Sequence, residues 1–364
     1  MVKTRRSGGR SFCALTLALL AILGGGIPVR AADRPPKDPW SMRLFRFELD
    51  NDAFIGSDDA FSSGWSFQLF SRPMDQWGPR LNGWIGKLPG LGDDGEGGRV
   101  VRWAGALSQV ILTPSDVGIA EPQPDDVPWA GVLAVTATWS SYDNRRLGAI
   151  QLYLGCMGPC AFGEEVQTFV HEDLGLGEPP QGWNNQLVNQ WLGNLNYEYR
   201  YKLLADKVER YVPGRFAVDV AAGVMAGVGN AATLVRGDVE LRFGWGLPMG
   251  FTKIPDIVPL GLVLDPVYFD PTQPLTNLKG WRGYFNLVAR LTWFGRVAPF
   301  EGGETVNGGF HPEITPIPGR EQLLFGAHLV RFPVGFNVTY YHYLDAEEFL
   351  SDRDWVNFSF EYRF

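Results

Sequence analysis

Apolar and polar residues alternate strictly in several stretches of this 364-residue chain. In the last eight residues, NFSFEYRF, Phe358, Phe360, Tyr362 and Phe364 share one face, and Asn357, Ser359, Glu361 and Arg363 share the other. A repeat of two with aromatic side chains on one face predicts a β-strand. In TLVRGDVELRFGW, Thr233, Val235, Val239, Leu241, Phe243 and Trp245 oppose Arg236, Asp238, Glu240 and Arg242. In NLNYEYRYKL, Leu195, Tyr197, Tyr199, Tyr201 and Leu203 oppose Asn194, Asn196, Glu198, Arg200 and Lys202. The pattern predicts about twelve strands, near 42–52, 61–71, 101–112, 129–140, 145–155, 193–204, 214–227, 231–245, 280–294, 321–331, 335–344 and 354–364. Pro333 and Gly335 predict a tight turn between two of them. The stretches 73–99, rich in Gly and Pro, 247–279 and 295–320 read as long loops. No internal repeat and no second domain is evident.

Alternation alone fits two architectures. A soluble sheet buries its apolar face in a core, whereas a membrane barrel turns that face outward to lipid and its polar face inward. Strand length separates them, because these segments run ten residues or more against ~5–6 in soluble sheets. The N-terminus adds to this. Basic MVKTRRSGGR, apolar CALTLALLAILGGG and small VRA ending at Ala31 form a secretory signal peptide over 1–31. The apolar run is shorter than the ~20 residues a membrane helix needs, and no later segment is long and apolar enough. A secreted chain without membrane helices leaves a closed barrel as its way to span a bilayer. The expectation is an all-β, transmembrane antiparallel barrel over 32–364, multi-pass in the outer membrane of a Gram-negative bacterium. The terminal Phe364 resembles the last residue of bacterial outer-membrane barrels, where it forms part of the signal read by the barrel assembly machinery. Removing residues 1–31 takes away Lys3, Arg5, Arg6, Arg10 and Arg30 and no acid, so the formal charge of -8 falls to -13. An acidic mature chain argues against nucleic acid as a partner.

An even-numbered barrel begins and ends in the periplasm, so the connections after odd strands face outward. These include DNDAFIGSDDAFSSG (50–64), TPSDVGIAEPQPDDVP (113–128) and 156–192, which contains His171. Parity turns Arg46, Glu48, Asp50 and Asp52 inward, together with Ser62 on the next strand. If 163–175 is a short helix in an extracellular loop, Glu164, Gln167 and His171 fall on one face. Acids beside Asn51 suit a hard cation such as calcium, although the spacing is not that of an EF-hand. Acidic turns solvated at a rim explain the same residues. A histidine of near-neutral pKa can take a proton from water, and a divalent ion can polarise an ester carbonyl. Together these are the parts of an esterase acting on the outer leaflet.

The blocks GCMGPCAFGEEVQTFVHEDLGLGEPPQGWNNQL (155–187), NDAFIGSDDAFSSG and LTPSD with DDVPWAG resemble the outer-membrane lipid A 3′-O-deacylases. That family has Gly-Pro, then Gly-x-x-x-Gln-x-x-x-His and Gly-Trp-x-x-Gln, with an Asn-Asp block upstream. The resemblance extends over nearly the whole mature chain. It implies a calcium-dependent esterase in a twelve-stranded barrel, acting on lipid A of lipopolysaccharide in the outer leaflet. His171 matches the catalytic histidine that activates water. Asn51 and Asp52 match the metal and oxyanion side. Ser62 stands where threonine is usual, and could instead be a nucleophile. Gln167 and Glu178 match positions lining the site, Glu178 with Asn51 and Asp52 as metal ligands, and Gln167 with Trp183 as substrate contacts. Asp50 replaces a usual Glu, Val127 and Trp129 stand in place of Arg and Tyr, and Gln190 replaces a common Glu. With no Lys or Arg in 113–128, phosphate capture would fall to Arg296, Arg353 or calcium.

Other polar residues read as structural. Cys156 and Cys160 suit a local disulfide better than a metal site. His328 and His342, in strands, are expected to face a wall or an aromatic girdle. Trp77 and Trp84 suit interface belts, and Arg200 and Lys202 suit pairing with Glu198 and Glu240. Two other readings stand beside the deacylase: a porin or adhesin with structural calcium, and an outer-membrane phospholipase.

Overall fold

The computed structural model describes residues 41–51, 61–77, 84–92, 99–175, 177–205, 215–256, 261–268, 280–314, 319–344 and 354–364. The signal peptide, Asp52 and Arg353 lie outside them, as do the side chains of Asn51 and Ser62. The barrel strands are β1 (Met42–Asn51), β2 (Phe61–Ser71), β3 (Val100–Leu112), β4 (Ala130–Tyr142), β5 (Arg146–Met157) and β6 (Gln190–Leu204). They continue with β7 (Phe216–Gly229), β8 (Ala232–Trp245), β9 (Arg282–Val297), β10 (Gly319–Arg331), β11 (Val334–Tyr343) and β12 (Asp354–Arg363). All twelve expected strands are present and form one closed antiparallel barrel. β1 closes on β12 in a register running from Leu44 opposite Arg363 to Asn51 opposite Val356. Closure pairs the backbone polar groups between strands, which a bilayer demands.

The faces obey the alternation. Phe67, Leu107, Val135, Leu154, Val235 and Phe325 are exposed on the outer wall, while Arg46, Glu48, Arg200, Glu240, Arg242 and Glu361 are buried inside. A lipid-facing belt with a charged interior explains both sets. Arg200 bonds Asp238 at 3.1 Å and Glu240 at 3.0 Å, and Lys202 meets Asp219 at 2.7 Å. The expected Glu240 pair is therefore present for Arg200, and Asp219 takes the partnership of Lys202.

Several local expectations are corrected. The stretch 247–279 is a long connection as expected, but its described residues run inside the lumen, where Phe251 and Asp265 are buried. Residues 249–250 and 267–268 pair at its base. The turn between β10 and β11 is Phe332–Pro333, with a cis peptide bond, and Gly335 already belongs to β11. His328 faces the lumen, stacked on Tyr284 at 4.5 Å and bonded to Asn286 and Asn337. His342, on the outer face of β11, is bonded to Asp354 at 2.6 Å. Trp77 is not in a belt. It is buried with Ile85, Leu91 and Val101 and donates to the Leu91 carbonyl at 2.8 Å, whereas Trp84 is exposed.

Candidate active site

The connection from β5 to β6 carries His171. It starts at the Cys156–Cys160 disulfide, passes a 3-10 turn at Pro159–Ala161 and forms a helix, α1 (Gly163–Thr168). A π-turn follows at Phe169–Asp173, closed by Leu174 N–H donating to the Phe169 carbonyl at 3.1 Å. The helix is therefore shorter than expected, and its ladder slips just before the histidine. Glu164 is exposed while Gln167 is buried, so the three polar residues do not share one environment.

The wall beneath explains where this segment sits. Alternation places Leu107, Gln109 and Ile111 on the outer face of β3. Leu107 is 40% exposed, yet Gln109 is 2% and Ile111 1% exposed. The cover begins between them, and it is the His171 connection folded over the outside of the barrel rim. Gln109 accepts from Trp65 Nε1 at 2.7 Å and donates to the Ala161 carbonyl at 2.6 Å. A Cβ added at Gly131 of β4 would stand 3.1 Å from the Gly163 backbone, so two glycines let helix and strand touch. Ile111, Val117, Trp129 and Trp183 pack together there, with Val166 of α1 against them. The sequence put His171 on an outward-facing connection, and the structure sets that connection against the outer face of β3 and β4.

Two polar contacts fix the side chains of Gln167 and His171. Gln167 Oε1 accepts from Trp183 Nε1 at 2.8 Å, and Trp183 meets Trp129 edge-on at 5.1 Å. Gln167 Nε2 is buried with no hydrogen-bond partner among the described residues. Trp183, expected to touch substrate, is 3% exposed and serves as the floor under Gln167. His171 Nδ1 lies 2.6 Å from the Glu178 carbonyl oxygen. A carbonyl only accepts, so Nδ1 carries the proton and donates. Nε2 is left with a lone pair, the form that can take a proton from water.

The carboxylates are arranged less tightly. The Glu178 carboxylate and that of Asp116 both border Gly118, whose added Cβ would lie 2.7 Å from Glu178 Oε1 and 3.3 Å from Asp116 Oδ1. Among the described residues no three His, Cys, Asp or Glu side chains gather as a metal site. The exposed pair Glu178 and Asp116 is all-oxygen chemistry, which suits a hard cation such as calcium. Asn51 ends β1, and Ser62 lies where the β2–β3 register slips between Phe61 and Ser63, so simple parity does not carry through it. Asp50 is buried on the inner face and accepts from Asn357 at 2.7 Å. Partial burial, then the neighbouring Glu165, push Glu164 above the ordinary carboxylate value. Arg296, a candidate for phosphate, is paired with Glu301.

Three contributors escaped the sequence reading: Asp116, Gln109 and Gly177. A Cβ added at Gly177 would stand 2.6 Å from His171 Nδ1, so this glycine is the face on which the imidazole lies. The Asp-x-Gly spacing of Asp116 and Gly118 was a usable turn signal, and Gly118 N–H does donate to Asp116 at 3.0 Å. Gln109 gave none, since one polar residue on an apolar face has no periodicity.

The fold agrees with solved outer-membrane structures. LpxR from Salmonella typhimurium superposes with a TM-score of 0.67 at 15% identity, over 88% of this chain and 100% of that one. The β domain of the Bordetella autotransporter BrkA gives 0.39 at 11% identity, over 89% and 100%. An outer membrane channel from Pseudomonas putida F1 gives 0.39 at 10%, over 92% and 100%. The last two scores are too low to carry an argument. No curated protein matches the sequence. A family model described as outer membrane protein LpxR matches residues 14–364. That span is nearly the whole chain, and this protein belongs to the LpxR family of Gram-negative outer-membrane barrels.

Proposed function

We propose that this chain is an outer-membrane esterase that removes the 3′-linked acyloxyacyl chain of lipid A, from a site facing the outer leaflet. One observation carries the reading: an imidazole held in its Nδ1–H form on a connection clamped to the lipid-side face of the barrel. An ester in the neighbouring leaflet reaches that face without entering the lumen. His171 Nε2 takes a proton from water, and the oxygen attacks the ester carbonyl carbon. The tetrahedral oxyanion collapses, the bond from carbonyl carbon to sugar oxygen breaks, and the imidazolium returns its proton to that oxygen. The products are a free fatty acid and a sugar hydroxyl. Gln167 Nε2, buried and without a hydrogen-bond partner among the described residues, is a donor for the substrate carbonyl. Water ranks above Ser62 as nucleophile, because a threonine is usual there and tolerated.

Calcium belongs to the same proposal. Asn51, Asp52 and Glu178 would hold it, with Asp116 beside Glu178. When bound it supplies positive charge that polarises the ester carbonyl. The porin reading is opposed by a lumen crossed by buried chain and closed by ion pairs.

The test uses purified, folded barrel in detergent with hexa-acylated lipid A, with calcium or a chelator, followed by mass spectrometry. Loss of one acyloxyacyl unit with calcium, and its absence with chelator, supports the proposal. Cleavage of glycerophospholipid and not lipid A would transfer the assignment to a phospholipase. No cleavage of either ester would leave an adhesin-like barrel.

A further inference from the structure

The β8–β9 segment enters the lumen from the end at which β1 begins and β12 ends. Its described residues, 246–256 and 261–268, touch the wall on nearly every side. Arg242 Nη2 donates to the Gly250 carbonyl at 2.8 Å, and Arg200 Nη1 to the Thr252 carbonyl at 3.2 Å. On the opposite side Tyr341 O–H donates to the Pro255 carbonyl at 2.6 Å. Gln151 of β5 pairs with the segment twice, donating to the Gly261 carbonyl at 3.0 Å and accepting from Val263 N–H at 2.8 Å. These are main-chain contacts of a finger fitted to its sleeve.

Two carboxylates make the charged contacts with the wall arginines, and Lys253 of the segment pairs with Glu48 of β1. Asp265 lies among three wall arginines, with Arg363 at 3.2 Å, Arg46 at 3.4 Å and Arg102 also in contact. Its side chain is fully buried. Asp256, farther along the finger, pairs with Arg290 at 3.0 Å and with Arg236. These five arginines come from β1, β3, β8, β9 and β12. On the lumen wall, buried basic side chains outnumber buried acidic ones among the described residues. The finger's two acids therefore supply negative charge that the wall lacks, beyond what its one buried lysine offsets, and neither latch is needed by a site on the outside of the barrel.

We propose that this segment is a resident plug latched by Asp265 and Asp256, and that releasing both latches converts the closed barrel into a pore for small anions. Removing both carboxylates takes away the finger's ion pairs to the five arginines and leaves it held by main-chain hydrogen bonds and the Lys253–Glu48 pair. It also leaves guanidinium groups facing an opened path, which favours anions over cations.

The experiment is planar-bilayer recording of the full mature chain in potassium chloride. The wild type and a double variant, Asp256→Asn with Asp265→Asn, are compared at equal amounts of folded barrel, verified by heat-modifiable migration. The wild type is expected to be silent. The double variant is expected to show discrete current steps, with a reversal potential displaced toward that of chloride in a salt gradient. A cysteine pair at Gln151 and Val263 in the double variant ties the finger to β5. Oxidation should abolish the current and reduction restore it, while reduction of the wild type leaves it silent. A folded double variant that stays silent, a wild type that conducts equally, or a cation-selective path would each overturn the proposal. Lipid hydrolysis plays no part in the readout, so the outcome is independent of the esterase reading.

Discussion

Gly177→Ala is the sharpest test of how the histidine is held. The backbone at Gly177 is not in the left-handed region, so alanine adds a methyl group without backbone strain. That methyl would stand 2.6 Å from Nδ1, 2.7 Å from Cε1 and 3.0 Å from Cγ of His171. Ordinary contact begins at 3.4 Å, so the ring must move by about 0.8 Å. A shift of that size stretches the 2.6 Å bond from Nδ1 to the Glu178 carbonyl beyond useful length. Misplacing a catalytic group by about 1 Å costs roughly a hundredfold in rate. The expected result is a kcat lowered about a hundredfold, with KM little changed, measured by mass spectrometry of lipid A cleaved in detergent. Gly237→Ala, where an added methyl meets nothing within 4 Å, is the control and should keep full activity. Adding Gly177→Ala to His171→Ala should cost nothing further, because the glycine acts through the imidazole. Near-normal activity in Gly177→Ala, from a barrel that migrates as folded, would refute this account of the site.

Other outcomes follow from the same contacts. His171→Ala should lower the rate by roughly 10²–10⁴-fold without loss of heat-modifiable folding, since it lies outside the barrel wall. Trp183→Phe leaves the buried Gln167 Oε1 unpaired, a cost of about 1–3 kcal/mol, read as faster proteolysis within 158–189 while the barrel stays intact. Burial alone would raise the Asp265 carboxyl in the lumen finger, but Arg363, Arg102 and Arg46 outweigh it and hold it well below the usual range. A depressed carboxylate contributes stability above its unfolded value and loses it only as pH falls through the folded one. Acidification to about pH 4, the ordinary carboxylate range, should therefore leave the finger protected from protease, and release at that pH would contradict the latch.

Much of the wall was legible because the bilayer imposes a repeat of two on every strand. NLNYEYRYKL could be placed in the barrel with the correct faces before any coordinates, and β6 differs only in starting at Gln190. The lumen finger was not legible. Its buried Phe251, Leu262 and Leu264 lie among prolines without periodicity, and what fixes them is the inner wall of β4, β5, β7 and β8. His171 and Gln167 could be named from local spacing and Glu178 from the family resemblance, since one connection carries all three. Their setting could not. The burial of Gln109 and Ile111 depends on a segment from elsewhere folding over them, and the ladder slip at Phe169–Asp173 is invisible in a helical wheel. Trp77 shows the opposite error: a tryptophan near a strand end suggested a belt, while its indole N–H had a buried carbonyl waiting at Leu91.

The most direct measurement is the lipid A mass spectrum of a Gram-negative host that makes hexa-acylated lipid A and expresses this chain. Wild-type protein should yield lipid A lacking the 3′-linked acyloxyacyl unit, and an equally abundant, folded His171→Ala variant should yield the unmodified lipid. An unchanged spectrum with correctly inserted wild-type barrel, or the same loss in the His171→Ala strain, would contradict the assignment.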